Sequence, residues 1–394
     1  MKAAAMRGVE TYGVGNSDSR LLGGNLGLYG EVERKLARIV GQDHAILFAT
    51  GYLANIGALS TLPRAGSVAR AFGFQSKRDY AYAYFSDEYN HVSIREGMRL
   101  SGARRYSYRH LDLDHLEHLL RRSPENSKII VTDGVFSQDG DIAPIPGILT
   151  LAERYNAMLY VDDSHGAGVL GASGGGLLEH FKVSSERIIY MATLSKAYGT
   201  IGGFVAGHGL ITEALRMMSP AYGFTATLPP DQAMVISTAI DIVKDEPERR
   251  RRLWENQRYF VERMAKLPFR LVATETAIVP VWLGEDTRTQ ALAAAIRAED
   301  IHVDAIGFPA VSLKSGRLRI QMNAGHRRED IDRLVDIMQR NPHLAAPARR
   351  PAKTRTPLNA RRHAVALAPA HADRGVARPY EIAAAADFGG GKFD

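Results

Sequence analysis

The chain has 394 residues, of which 45% are apolar and 24% charged, with a formal net charge of +7 and no cysteine. Such a length holds two or three domains with a sizeable core, in the balance of an ordinary soluble globular protein. Disulfide frameworks, thiolate metal sites and cysteine nucleophiles are excluded, no apolar run reaches the roughly 18 residues of a membrane-spanning helix, and Met1 to Glu10 lacks a secretory pattern, so the cytosol is the expected compartment.

Glu31 to Val40 carries apolar residues at helical spacing and ends at a Gly-Gln-Asp break. Ala45 to Ala49 is a short apolar run leading into Thr50-Gly51-Tyr52 and a helical pattern from Leu53 to Leu62, so it reads as strand, tight turn and helix. The alternation repeats. Lys128 to Thr132, Met158 to Val161 and Arg187 to Ala192 read as buried strands, and Pro146 to Asn156 as a helix. Short continuous apolar strands separated by helices predict a mainly parallel α/β sheet covered on both faces. After Pro229-Pro230 a long helical stretch is expected through Arg249-Arg250-Arg251-Arg252 to about Leu267, with the arginines as a solvated face. Then follow a strand (Ala277 to Leu283), a helix (Thr287 to Ala298), strands at Ile301 to Ile306 and Arg317 to Met322, and a helix (Glu329 to Gln339), which make a smaller α+β domain. The expected division is a large domain over 1–227, a small C-terminal domain over 228–340 and a tail over 341–394. That tail holds nine Lys/Arg and four Asp/Glu, thus +5 of the +7, together with fifteen Ala and six Pro. It reads as a disordered, solubilising extension, and the nearly neutral body gives no case for a nucleic-acid partner.

In an open parallel sheet, ligands sit beyond the carboxyl ends of the strands. The turn Ala49-Thr50-Gly51-Tyr52 opens a helix whose free N–H groups suit a phosphate. The strand at Met158 runs into Asp162-Asp163-Ser164-His165-Gly166, and the one at Arg187 into Thr193-Leu194-Ser195-Lys196. A lysine among small and hydroxyl residues at a strand end loses its proton more easily than a surface lysine and can attack a carbonyl to form a Schiff base. With an aspartate at the neighbouring strand end and phosphate-binding turns, this set matches what pyridoxal 5'-phosphate requires.

Around these residues the sequence resembles the α-oxoamine synthases, which are fold type I pyridoxal-phosphate enzymes. The resemblance spans about Gly13 to Gln339. It rests on Ser19-Arg20-Leu21-Leu22-Gly23-Gly24-Asn25, Gly51-Tyr52-Leu53-Ala54-Asn55, Asp87-Glu88-Tyr89-Asn90-His91-Val92-Ser93, Val135-Phe136-Ser137-Gln138-Asp139-Gly140-Asp141, the stretch from Val161 to Gly171, Thr193-Leu194-Ser195-Lys196 and Arg317-Leu318-Arg319-Ile320. It implies a large, mainly parallel sheet domain plus a smaller C-terminal α+β domain, and a decarboxylative Claisen condensation of an amino acid with an acyl thioester that yields an α-aminoketone. Aminotransferase or aldolase chemistry on the same fold, or a catalytically silent subunit, are the rival readings. By match, Lys196 is the Schiff-base lysine, Asp162 the partner of the pyridine nitrogen and His91 the histidine stacked on the cofactor ring. His165 and Ser137 match positions near the cofactor O3' and the substrate, while Gly51, Tyr52 and Thr193 match the phosphate turn. Thr225 matches the residue that reaches the phosphate of a neighbouring subunit's cofactor, so a homodimer with shared sites is implied. The substrate side includes Arg20 and Asn25, and Arg319 as the carboxylate clamp, with Arg317 as the alternative on the same strand face. No metal and no membrane association are expected. Three departures stand out: family members carry a longer segment before the point equivalent to Gly13, Tyr29 stands where histidine is common, and Phe72 to Tyr84 is longer and more aromatic than usual.

Overall fold

The structure is a computed structural model and describes residues 1–65 and 81–347. Among the described residues, seven strands form the main sheet: β1 (His44–Phe48), β2 (Tyr82–Asp87), β3 (Arg104–Tyr108), β4 (Ser127–Asp133), β5 (Ala157–Asp162), β6 (Ile188–Thr193) and β7 (Gly203–Gly207). Their order is β1-β7-β6-β5-β4-β2-β3, and β7 alone runs against the rest. The strands alternate with a period of two, and both faces are apolar. On β5, Leu159 and Val161 enter the core on one side of the sheet, while Met158 and Tyr160 enter the core on the other. A sheet buried on both faces needs such runs, which is why the sequence shows unbroken apolar strands in place of an apolar–polar alternation.

Helices Gly51–Thr61 and Val92–Ser101 cover one face, and Gly27–Ile39, Leu113–Arg122, Ile145–Arg154 and Pro230–Asp245 the other. Because β1, β4, β5 and β6 point the same way, their carboxyl ends gather Thr50-Gly51, Asp133, Asp162 and Thr193 at one edge. The turn at β1 is tight enough that a Cβ on Gly51 would come within 2.6 Å of Thr193 Cβ, and one on Gly203 within 2.4 Å of Gly51 Cα. Glycine is required there to bring helix, β6 and β7 together.

A second sheet, β10 (Asp304–Ile306), β11 (Gly316–Gln321), β9 (Ile278–Gly284) and β8 (Arg270–Leu271), is antiparallel throughout and packs on helices Asp286–Arg297 and Arg328–Arg340 around its own core. Leu228, Ala233, Ile236, Ala239 and Ile240 belong to the core of the large sheet, whereas the second core begins at Phe260. The chain therefore passes from one core to the other along the helix Pro247–Met264. The expected single helix up to Leu267 is two helices, Pro230–Asp245 and Pro247–Met264. Pro247 lacks an N–H and disfavours the α conformation at Glu246, which sits at φ −117° and ψ 62°. The arginine run is also not uniformly solvated: Arg250 is buried, donating to the carbonyls of Val243 and Ala172. Tyr29 lies wholly in the core, its hydroxyl donating to Leu228 O at 2.5 Å. Of the aromatic segment, Tyr82 to Tyr84 forms part of β2 and Ala81 leads into it, while residues 72–80 lie outside the described residues, as does the tail from 348. Among the described residues no helix is long and apolar enough to cross a membrane, and no cluster of His, Asp and Glu fits a metal ion.

Candidate active site

At the carboxyl edge of the main sheet a cavity of about 220 Å³ is lined by Gly51, Tyr52, Asn55, His91, Ser93, Asp133, Val135, Ser137, Asp162, Ser164, His165, Met191, Thr193, Ser195 and Lys196. Eight of the sequence-selected residues, Gly51, Tyr52, His91, Ser137, Asp162, His165, Thr193 and Lys196, thus meet in one place.

Asp162 is buried at the end of β5. Its Oδ2 accepts from Asn55 Nδ2 at 2.7 Å and its Oδ1 from the Ser164 N–H at 3.1 Å. Asn55 is itself held by Tyr160, whose hydroxyl donates to Asn55 Oδ1 at 2.9 Å, and Asn55 also donates to Ser93 Oγ at 2.9 Å. This network fixes the carboxylate so that its charge faces the cavity. Lys196 follows β6, and its Nζ lies 2.9 Å from His165 Nε2. Burial lowers the pKa of the Lys196 ammonium, while Asp162 and Asp133 pull it up. His165 is pushed well below the usual imidazole range, first by burial and then by the charges of Lys196, Arg319 and His91. It is neutral near pH 7 and shares a hydrogen bond with the Lys196 amine. His91 caps the helix Val92–Ser101, its Nδ1 accepting from the Ser93 N–H, and it stands on the cavity wall as well; burial holds its imidazole low.

Thr193 Oγ1 lies 2.9 Å from Ser195 Oγ and donates to Gly202 O, while its N–H is met by Ser164 Oγ at 3.0 Å. The hydroxyls of Thr193 and Ser195 therefore flank the start of the helix Gly51–Thr61, whose N-terminal residues Gly51 and Tyr52 line the same space. Asn55 and Asp133 are the functional side chains that motif reading did not single out. Asp133 ends β4, directly after the recognised strand Lys128 to Thr132, so the strand-end rule applied once more finds it. Its carboxyl is pushed well above the usual range by burial and by the neighbouring Asp162.

The two arginines of β11 separate clearly. Arg317 is buried and committed to Asp139, at 2.6 Å, and to Gln138 O and Ser315 O. Arg319 does not line this cavity: it donates to Ser137 O at 2.6 Å and to Gln321 Oε1 at 2.9 Å and lies 3.7 Å from Asp304, yet its charge is felt at both Lys196 and His165. Arg20 and Asn25 do not reach the cavity of their own chain. Arg20 forms a buried ion pair with Glu33 at 2.6 Å, donates to Asn25 Oδ1 and lies between the rings of Tyr29 and Tyr222. Within its own chain the Arg20 guanidinium is thus held in the core by Glu33 and Asn25. Thr225 is half-buried and also away from this cavity.

Behind the site, His110 bridges Asp87 and Asp141 at 3.0 Å each and stacks on Tyr89. Although burial alone would lower it, the two carboxylates lift its pKa from 6.5 to about 9. The folded pKa lies above the unfolded one, so this contribution is complete below pH 6.5 and disappears as pH rises through about 9. His110→Gln is therefore expected to lose stability most at acid to neutral pH. After discounting for partial solvent screening, its gap to the wild type narrows by about 2 kcal/mol between about pH 6 and pH 10. Urea unfolding at both pH values measures this, and a pH-independent gap would refute the charged bridge.

The family model for aminotransferase class I and II matches residues 1–338. An 8-amino-7-oxononanoate synthase of Alkaliphilus oremlandii is 37% identical over 342 residues, covering 86% of this chain and 83% of that protein. Among solved structures, a serine palmitoyltransferase with pyridoxal phosphate superposes with a TM-score of 0.79 at 31% identity, covering 86% of this chain and 82% of the other. An 8-amino-7-oxononanoate synthase from Francisella tularensis superposes with a TM-score of 0.71 at 26% identity over 86% and 92% of the two chains.

Proposed function

The chain belongs to the aminotransferase class I and II family, within it to the α-oxoamine synthases, and is a pyridoxal-phosphate enzyme of fold type I; from this premise we propose the following division of labour for its condensation of an amino acid with an acyl thioester. Between the amino acid Cα and the thioester carbonyl a C–C bond forms. The C–S bond breaks, the thiol leaves with a proton, and the amino-acid carboxylate departs as CO2. The observation that carries this reading is the amine of Lys196 held 2.9 Å from His165 Nε2 in a cavity whose far wall is the buried Asp162.

The residues fit the cofactor. Gly51, Thr193 and Ser195 would hold its phosphate, where a Cβ on Gly51 would fill the cradle, and Asp162 its pyridine nitrogen. When bound, pyridoxal 5'-phosphate accepts the electron pair left on Cα once a proton or carboxylate leaves. Lys196 Nζ carries the proton taken from and returned to Cα, and the neutral His165 hydrogen-bonds that amine and orients it. Arg319, close enough for its charge to act on Lys196 and His165, clamps the amino-acid carboxylate in preference to Arg317, which is held in a short ion pair with Asp139. Asn55 and Ser164 keep the Asp162 carboxylate from rotating away.

The reading also makes the enzyme a cytosolic homodimer with shared sites. Supporting this, Thr225 stands next to Phe224, which is 85% exposed, on a surface shared with the exposed Leu21 and Leu22. The test of the reaction is a matrix of amino acids labelled at C1 against acyl thioesters, with thiol and labelled CO2 measured together. One CO2 per thiol and a product mass of an α-aminoketone are expected. Formation of pyridoxamine phosphate without thiol release would instead identify an aminotransferase.

A further inference from the structure

A second cavity of about 440 Å³ opens from the first, with which it shares Val135, Ser164, His165 and Lys196. It leads away from the phosphate turn toward the junction of the helices Pro230–Asp245 and Pro247–Met264. Its walls are mainly aliphatic, among them Val169, Ala239, Ile242, Leu253, Ile278 and Met322. The charged groups at its far end already have hydrogen-bond partners. Arg249 is paired with Glu246 at 2.6 Å, and Arg250 donates through both terminal nitrogens to the carbonyls of Val243 and Ala172.

We propose that this cavity receives the acyl chain of the thioester and selects an extended, uncharged aliphatic chain. The proposal rests on the condensation described above and names the donor class for the same site. A thioester carbonyl placed at Lys196 has two arms, the acyl chain and the thiol carrier. The carrier arm of such thioesters is rich in amides, which lose hydrogen bonds against aliphatic walls, whereas methylenes gain by leaving water. The aliphatic cavity therefore takes the acyl arm. An ω-carboxylate would meet the Glu246 carboxylate, already paired with Arg249, and could reach Arg250 only by displacing the carbonyls of Val243 and Ala172 that it serves, so a methyl end is preferred.

The experiment measures kcat/KM for straight-chain acyl-CoA donors from acetyl upward, and for ω-carboxyl donors of matching length, using enzyme reconstituted with pyridoxal phosphate. Each added methylene is expected to raise kcat/KM about threefold to fourfold until the cavity is full. The ω-carboxyl donors are expected to fall at least tenfold below their methyl counterparts. Ile242→Trp, which fills the cavity, is expected to lower the decanoyl-to-acetyl ratio at least tenfold, and Leu253→Trp serves as a second filling variant should the first not fold. The visible cofactor band reports the fold of each. A flat chain-length profile, a preference for ω-carboxyl donors, or an unchanged ratio in folded filling variants would overturn the assignment while leaving the condensation intact. No thiol release with any donor would remove the reaction itself, and this assignment with it.

Discussion

Lys196→Ala is expected to lower kcat by about 10⁴-fold or more, the loss that follows when a covalent attachment point and a proton carrier go together. Both roles fall to one nitrogen because β6 delivers the amine to the cavity beside His165 and across from Asp162. Burial keeps its proton labile, so a guanidinium, which holds its proton at every working pH, cannot replace it. Lys196→Arg should be nearly as inactive as Lys196→Ala. The direct readout is borohydride reduction of the enzyme loaded with pyridoxal phosphate, followed by peptide mass spectrometry. Wild type gains the cofactor mass on the peptide carrying Lys196, and neither variant gains it. Attachment at another lysine, or undiminished turnover in Lys196→Ala, would refute the site.

The sequence signals that worked best were strand ends. The apolar runs ending at Thr50, Asp162 and Thr193 are buried on both faces, so they read as strands without any partner information, and the residues just past them had nowhere to be but the carboxyl edge. Strands β2 and β3 were not legible in the same way. Arg104–Tyr108 is an edge strand with three exposed residues, and β2 begins in an aromatic run that looks like loop. Arg20 shows the opposite case: its motif is legible, but only the fold reveals that Glu33 and the rings of Tyr29 and Tyr222 engage its charge within the chain. Arg317 and Arg319 were indistinguishable by spacing, since residues two apart share a strand face. What separates them is the long-range partner Asp139, from the loop after β4. Asn55 was hidden for a related reason, because its importance lies in a hydrogen bond across 107 positions to Asp162.

That hydrogen bond bears on the second large effect. Asp162→Asn is expected to slow exchange of the amino-acid Cα proton by about 10³-fold while leaving the fold intact. The asparagine oxygen can still accept the Ser164 N–H, but its NH2 then meets the Asn55 amide, so the desolvation saved is offset by a lost hydrogen bond and urea stability should change little. The loss is electrostatic: a neutral amide cannot sustain the positive charge on the cofactor's ring nitrogen that makes the ring an electron acceptor. A second readout excludes a merely structural role. Asp162 is the foremost group raising the pKa of Lys196 against burial, so its removal lets that pKa fall further. The acid limb of the pH–rate profile, where the lysine must lose its proton, should accordingly move to lower pH in Asp162→Asn. An unshifted limb with undiminished exchange would mean that the carboxylate faces neither the lysine nor the ring, and the assignment of β5 and β6 to one active centre would fail.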